Sequence, residues 1–143
     1  MNPPKNIPTT LIASVVVITI GIIASQFFKN DNEGTTVGVK VPQLSAQATV
    51  GKVAFDANCA KCHGANGSGT KQGPPFMNDI YNPGHHGDEA FRLAVRLGVQ
   101  QHHWPYGDML ALPQVTDAQL ADIVRYVREL QEANGIYYKP HQM

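Results

Sequence analysis

The stretch Cys59-Ala60-Lys61-Cys62-His63 is the most informative part of this 143-residue chain. It contains both cysteines of the sequence, three positions apart, and a histidine directly after the second. A redox-active thiol pair would leave the histidine without a role, and so would a disulfide between Cys59 and Cys62. A structural zinc site would need a second pair of ligands. The pattern therefore indicates a ligand that uses all three side chains at once.

A covalently bound haem is the ligand that this spacing fits. Each thiol can add to one vinyl group of the porphyrin, and the adjacent histidine is then held beneath the iron as a proximal ligand. We therefore predict one haem c, attached through Cys59 and Cys62 and ligated by His63. Since the chain has two cysteines in total, it can carry one haem of this kind at most.

The opposite face of the iron needs a second ligand, and several side chains are candidates. Met109 lies in a loop just before the last predicted helix, whereas Met77 follows the haem motif closely. A thioether is a soft ligand that favours ferrous iron. We therefore predict Met109 as the second axial ligand, with His102 or His103 as the alternative. The remaining candidates are Met77, His85 and His86.

An uncharged apolar run, Leu11 to Phe28, lies near the N-terminus. Extended to residue 9, it is as long as the roughly 20 residues that a helix needs to cross a bilayer. A cleaved signal peptide would have a shorter apolar region and a cleavage site between small residues, which Ile23-Ala24-Ser25 fits poorly. We therefore predict an uncleaved transmembrane anchor over residues 9–28, preceded by a cytoplasmic N-terminus over residues 1–8.

The remaining chain is predicted to have three parts. Residues 29–47 are polar and lack helical periodicity, which predicts a flexible tether. Residues 48–134 carry the regular patterns of one small domain, and residues 135–143 form a C-terminal tail. The formal net charge of the chain is zero, which gives no indication of a nucleic-acid partner.

Three helices are predicted within this domain. The first carries Gly51 and Phe55 at a four-residue spacing and ends at the haem motif. The second begins at Asp88-Glu89 and has Phe91, Val95 and Leu97 on its apolar face. It ends at Gly98, which is suited to a helix C-cap. The third begins with a capping box at Thr116-Asp117-Ala118-Gln119 and runs to about residue 134.

In combination, these motifs resemble the class I mono-haem cytochromes c over residues 48 to 132. The shared features are Gly51-x-x-x-Phe55, Cys59-Ala60-Lys61-Cys62-His63-Gly64, Gly73-Pro74, Met109 and the helix with Tyr126. One departure is Leu110, where that family often has proline. The resemblance implies a small all-α cytochrome c fold of about three to four helices around one covalently bound haem. Here the domain would be preceded by a single transmembrane helix.

The resemblance also implies particular contacts. The first and last helices would cross where Gly51 and Phe55 meet Tyr126. The carbonyl of Pro74 would accept the ring N–H of His63, which fixes the ring and raises its basicity.

The segment between the haem loop and Met109 contains two pairs of histidines and two aromatic residues. His85-His86 and His102-His103 lack the spacing of zinc ligand pairs, so surface imidazoles or hydrogen bonds to propionates and loop carbonyls explain them adequately. A copper site or a proton-coupled role is the alternative. Trp104 and Tyr106 are predicted to line the haem edge and to bind a propionate through the indole N–H and the phenol O–H.

The resemblance implies an electron carrier rather than an enzyme, because iron with two protein ligands has no open position for a substrate. It would be tethered to a bacterial inner membrane, with the haem domain in the periplasm. The implied partners are a quinol–cytochrome c oxidoreductase and a terminal oxidase or reductase. The alternatives are a permanent haem-bearing subunit or redox or gas sensor of a larger membrane complex, and an enzyme with an open iron site.

The haem motif generates a direct prediction. The denatured polypeptide, purified from cells competent for haem attachment, is expected to retain the mass of one haem, because thioether bonds survive denaturation. Intact-protein mass spectrometry checks this. The double variant Cys59→Ala, Cys62→Ala is the control and is expected to show the mass of the polypeptide alone. A wild-type mass equal to that of the polypeptide would contradict covalent attachment.

Overall fold

The computed structural model describes residues 18–20 and 36–140. Residues 18–20 are helical, and in the part of the chain that the structure describes no helix has both the length and the hydropathy of a membrane span. Apart from residues 18–20, the anchor predicted over residues 9–28 lies outside the described part of the chain. Residues 29–35 of the predicted tether lie outside it as well.

Residues 36–140 form an α-helical domain. Its helices are α1 (Ala46–Asn58), α2 (Ala60–His63), α3 (Asp88–Leu97) and α4 (Asp117–Ala133), with 3-10 turns at Ala65–Gly67 and Asp79–Tyr81. In this part of the chain the strand-like pairing is limited to one antiparallel bridge, between Val99 and Met109. The prediction of an all-α fold with three to four helices is confirmed for these residues.

The core of the domain is the crossing of α1 and α4. Gly51 lies so close to α4 that a Cβ atom added to it would be 1.9 Å from the carbonyl oxygen of Asp122. One turn further along α1, the buried ring of Phe55 packs edge-on against Tyr126, with 5.4 Å between the ring centroids. The glycine–aromatic contact implied by the resemblance is confirmed. It sets the direction of α1, and therefore the place where Cys59 leaves that helix.

Side-chain caps define where α1 and α4 begin. The hydroxyl of Ser45 accepts a hydrogen bond from the N–H of Ala48 at the start of α1. Thr116 and Gln119 form the predicted capping box, in which each side chain accepts from the backbone N–H of the other residue. A cap of this kind contributes about 1 kcal/mol to stability. The start of the last helix was therefore predicted correctly.

Helix α3 ends at the predicted residue, because Gly98 has a φ of 78°, which favours glycine. The prediction for its apolar face was wrong at Leu97, which is 76 % exposed, while Val95 is buried. Residues two apart on a helix point in nearly opposite directions, since each residue turns the helix by about 100°. With Val95 in the core, Leu97 must face solvent.

Residues 36–45 differ from the predicted flexible tether. The N–H of Val37 donates to the loop after the haem motif at 2.8 Å. The side-chain amide of Asn134 binds both the N–H and the carbonyl of Lys40, at 2.9 and 2.8 Å, and Leu44 packs against the core. Hydrogen bonds and packing thus hold this segment against the domain. An extended chain held by backbone hydrogen bonds to distant residues has no periodicity that the sequence could reveal.

Gly51→Ala tests the crossing of α1 and α4. The added Cβ would meet backbone atoms of Asp122, which have no rotamer to adopt, so the two helices must move apart. Overpacking of this kind costs about 1–3 kcal/mol, and we expect at least that loss in the free energy of unfolding of the haem-loaded protein. Chemical denaturation followed by circular dichroism measures it. Gly38→Ala is the control, since a Cβ there meets nothing within 4 Å. Equal losses in both variants would contradict the role of the crossing.

Candidate haem site

The two cysteines and His63 lie on one helical stretch that continues from α1. Cys59 is the C-cap of α1, and its carbonyl accepts hydrogen bonds from the N–H groups of Cys62 and His63, at 3.1 and 2.9 Å. Residues three and four apart share one face of a helix. Cys59 is half-buried and Cys62 is exposed. The motif thus presents both thiols and the imidazole together.

The thiols differ in their surroundings. Burial, together with the neighbouring Cys62, raises the pKa of Cys59 to about 11. Cys59 is therefore a neutral thiol in the polypeptide at physiological pH, whereas Cys62 is open to solvent.

The ring of His63 is held by the carbonyl of Pro74, with 3.0 Å between Nδ1 and the oxygen. Because a carbonyl oxygen can only accept, Nδ1 carries the hydrogen and Nε2 keeps its lone pair. Burial lowers the pKa of His63, and the hydrogen bond to Pro74 works in the opposite direction with a smaller effect. The predicted contact is confirmed, and it leaves a neutral imidazole in the tautomer that an iron ligand needs.

The loop after the haem motif folds back over the motif and places Pro74 next to His63. The N–H of Gly69 donates to the carbonyl of His63 at 2.7 Å, and the hydroxyl of Tyr126 donates to the Asn66 side chain at 2.7 Å. At Gly73 an added Cβ would lie 2.8 Å from the carbonyl oxygen of Cys62, so the loop packs directly on the motif. The path of this loop therefore depends on the absence of a side chain at Gly73 and on the hydrogen bond from Tyr126 of α4.

Phe76 forms the centre of an aromatic cluster that the sequence did not reveal. Its ring stacks on His63 with 4.3 Å between centroids, and it packs edge-on against three further rings. These belong to Phe55, Tyr81 and Phe91, at 6.1, 5.3 and 5.6 Å. Phe76 lies in a loop, where no periodicity assigns a residue to the core. Its apolar character beside Pro74-Pro75 was the one available signal.

The two candidate methionines have different environments. The antiparallel bridge to Val99 holds Met109 through two backbone hydrogen bonds of 2.9 Å each, and its side chain is half-buried. Gly98 permits this pairing, because a Cβ there would lie 2.5 Å from the carbonyl oxygen of Met109. Met77 instead packs against the hydrophobic core. The loop with Met109 is thus closed at its base, while Met77 contributes to packing.

Trp104 and Tyr106 are neighbours in the loop that this bridge closes, with 6.2 Å between their ring centroids. The Nε1 atom of Trp104 is buried and finds no hydrogen-bond partner among the described residues. The indole also lies near Tyr81, whose pKa burial raises to about 12, but without the geometry of a hydrogen bond. A buried N–H without an acceptor is costly, and a propionate would satisfy it. Together with the thiols and the Nε2 atom of His63, this donor fits a bound haem.

The structure brings the two histidine pairs together, which the sequence did not predict. The rings of His85 and His103 have 5.3 Å between their centroids, those of His86 and His103 also 5.3 Å, and those of His102 and His103 4.2 Å. Burial lowers the pKa of His86 and of His103, and the neighbouring imidazoles lower both further. The alternative iron ligands, His102 and His103, therefore contact other histidines.

Comparisons with known proteins are consistent with a haem site at these residues. Residues 48–131 match the family model described as cytochrome c. The chain is also similar to the cbb3-type cytochrome c oxidase subunit FixP of Azorhizobium caulinodans, with 35 % identity over 99 residues. The match covers 66 % of this chain and 33 % of that relative, so it spans about a third of the relative's length. No solved structure gives a significant match.

Proposed function

The chain belongs to the cytochrome c family, and from this we propose that it is a membrane-tethered carrier of single electrons with one covalently bound haem. The observation that carries the proposal is the placement of both cysteines and His63 on one helical stretch, with the Nδ1 atom of His63 bound to the carbonyl of Pro74. In this proposal the haem domain lies in the periplasm of a bacterium. It passes electrons from a quinol–cytochrome c oxidoreductase to a terminal oxidase or reductase.

The residues of the haem motif have separate roles in this proposal. Cys59 and Cys62 hold the haem by thioether bonds, and His63 binds the iron through Nε2. The carbonyl of Pro74 keeps the imidazole in one orientation and raises its basicity. A haem held in this way supplies one-electron chemistry between Fe(III) and Fe(II).

Met109 is the proposed second axial ligand. Its support is the backbone pairing with Val99, which fixes the base of the loop, and the packing of Met77, the other candidate methionine, against the hydrophobic core. The contacts of His102 and His103 with other histidines also favour Met109. Iron with two protein ligands has no position for a substrate, which is the reason for proposing a carrier rather than an enzyme.

Trp104 and Tyr106 are proposed to contact a haem propionate. The buried indole N–H of Trp104 needs an acceptor, and a carboxylate is a strong one. Tyr106 lies beside it in the same loop and offers a hydroxyl. Both residues would then link the loop that carries Met109 to the haem itself.

The membrane tether is proposed from the uncharged run Leu11–Phe28, which is about the length of a membrane-spanning helix. Because residues 36–45 are bound to the haem domain, at most residues 29–35 remain to separate that domain from the proposed anchor. Tethering raises the effective concentration of a carrier near membrane-bound partners.

A second candidate is a permanent haem-bearing subunit, or a redox or gas sensor, of a larger membrane complex. The observation in its favour is the similarity to FixP, which is named as a subunit of a cbb3-type oxidase. Purification in a mild detergent separates the two candidates. Oxidase polypeptides in constant ratio to this chain would identify a subunit, whereas elution of the chain by itself would identify a carrier.

A pair of substitutions tests the axial ligand. Met109→Leu and Met77→Leu each remove a sulfur atom with little change in side-chain volume, so packing is largely kept. In Met109→Leu we expect the haem to remain attached, the reduction potential to fall because a ligand that favours Fe(II) is lost, and carbon monoxide to bind. Met77→Leu is expected to leave the potential and the spectrum almost unchanged. Redox titration and visible spectra measure both, and the opposite pattern would identify Met77 as the ligand.

A second pair of substitutions tests the anchor. Arginine at the centre of a membrane-spanning helix costs about 2.5–3.5 kcal/mol, so Ile20→Arg is expected to weaken retention in the membrane fraction. Gly38→Arg adds the same charge outside the apolar run and is expected to have no effect. Immunoblots of membranes washed with high salt measure the retained fraction. Release of the wild-type chain by salt alone would contradict the anchor.

A further inference from the structure

Four histidines form a cluster that the proposed electron transfer does not use. His85, His86 and His103 each offer one ring nitrogen, and these three nitrogens all lie within 4.8 Å of one another. The fourth, His102, stacks on the ring of His86 with 6.2 Å between centroids. We propose that His85, His86 and His103 bind a divalent transition-metal ion, and specifically Zn(II).

The distance between two of the three nitrogens fits a tetrahedral ion. The Nε2 atoms of His85 and His103 are 3.4 Å apart. In a tetrahedral zinc site with Zn–N bonds of about 2.0–2.1 Å, two ligand nitrogens are separated by about 3.3–3.4 Å. Two imidazoles on a square-planar ion would be closer, at about 2.8 Å for neighbouring positions. The distance between these two nitrogens is therefore close to the one that a tetrahedral Zn(II) ion requires.

The ring of His86 is already oriented as a ligand. Its Nδ1 atom lies 2.6 Å from the carbonyl oxygen of Ile80, so Nδ1 carries the hydrogen and Nε2 keeps a lone pair. Metal-binding histidines usually donate their other ring N–H to a carbonyl or carboxylate in this manner. The tautomer of His86 is thus fixed before any ion binds.

The turn that carries His85 and His86 is held rigidly. The N–H groups of both residues donate to the carbonyl of Asn82, at 3.0 and 2.9 Å. Arg128 of α4 donates to the carbonyls of Tyr81 and His86, at 3.0 and 2.6 Å. Adjacent histidines diverge on an extended chain, but in this turn their rings approach to 4.6 Å. The turn explains why the sequence spacing gave no metal signal.

The opposite side of the cluster belongs to the loop that ends at Met109. Within this loop the N–H of Gln101 donates to Asp108 at 2.8 Å, and the N–H of Gly107 donates to the Gln101 side chain at 2.6 Å. An ion bound by His103, His85 and His86 would therefore link this loop to the turn, and each of the two segments is held by its own hydrogen bonds. Because His103 is exposed, the fourth position on the ion faces solvent and can be filled by water.

Zinc titration of the haem-loaded, full-length protein tests this site. After removal of metals with a chelator, isothermal titration calorimetry with zinc chloride is expected to show one ion per chain and micromolar or tighter affinity. His86→Gln and His103→Gln are each expected to weaken binding by about 100-fold or more. Loss of a group that only orients a ligand already costs roughly 10–100-fold. The visible spectrum of the haem is expected to stay unchanged in both variants.

His102→Gln is the matched control, because this neighbouring imidazole lies outside the three-nitrogen group. It is expected to change the affinity by less than about threefold. Zinc is also expected to raise the denaturant midpoint of the wild type and of His102→Gln, but not that of His103→Gln.

Three outcomes would overturn the proposal. The first is absence of zinc binding, which would identify the contact between His85 and His103 as a hydrogen bond. The second is equal weakening in all three variants, which would indicate adventitious binding by surface imidazoles. The third is a changed haem spectrum in His103→Gln, which would make His103 an iron ligand.

Discussion

The close crossing of α1 and α4 at Gly51 is the contact on which the rest of the structure depends. Because Gly51 lacks a Cβ, α4 approaches near enough for Tyr126 to pack on α1 and to reach the loop beyond the haem motif. Its hydroxyl binds Asn66, and this loop brings the carbonyl of Pro74 to His63. The orientation of the proposed iron ligand thus follows, through a short chain of contacts, from one missing methyl group.

Two opposite faces of helix α4 contact two different sites. Tyr126 points toward the haem motif, and Arg128, two residues later, points toward the turn with His85 and His86. Residues two apart on a helix face nearly opposite directions, so one rigid element positions both regions. Arg128 also pairs with Asp88 at the start of α3, at 2.8 Å, which joins α3 to the same framework. The proposed haem site and the proposed zinc site therefore both depend on the position of α4.

The amino-acid sequence by itself determined the features that depend on neighbouring residues along the chain. The haem motif is of this kind, because two thiols and an imidazole at helical spacing share one face wherever the helix lies. The capping box at Thr116 and the helix end at Gly98 are local as well. The capping box satisfies backbone N–H groups at the start of α4, and Gly98 ends α3. The same local reasoning was wrong for Leu97, where two apolar residues that cannot share one face were both assigned to the core.

Only the tertiary structure decided which loops meet. Residues 36–45 have no repeating pattern, yet hydrogen bonds to residues far along the chain hold them on the domain. Phe76 is a loop residue whose contacts with four rings exist because α1, α2, α3 and the 3-10 turn at Asp79–Tyr81 converge on it. The histidine cluster likewise depends on the meeting of a turn held by Arg128 and a loop closed by the pairing of Val99 with Met109. These contacts are set by the packing of the helices, because the separation of two residues along the sequence does not determine the distance between them in the fold.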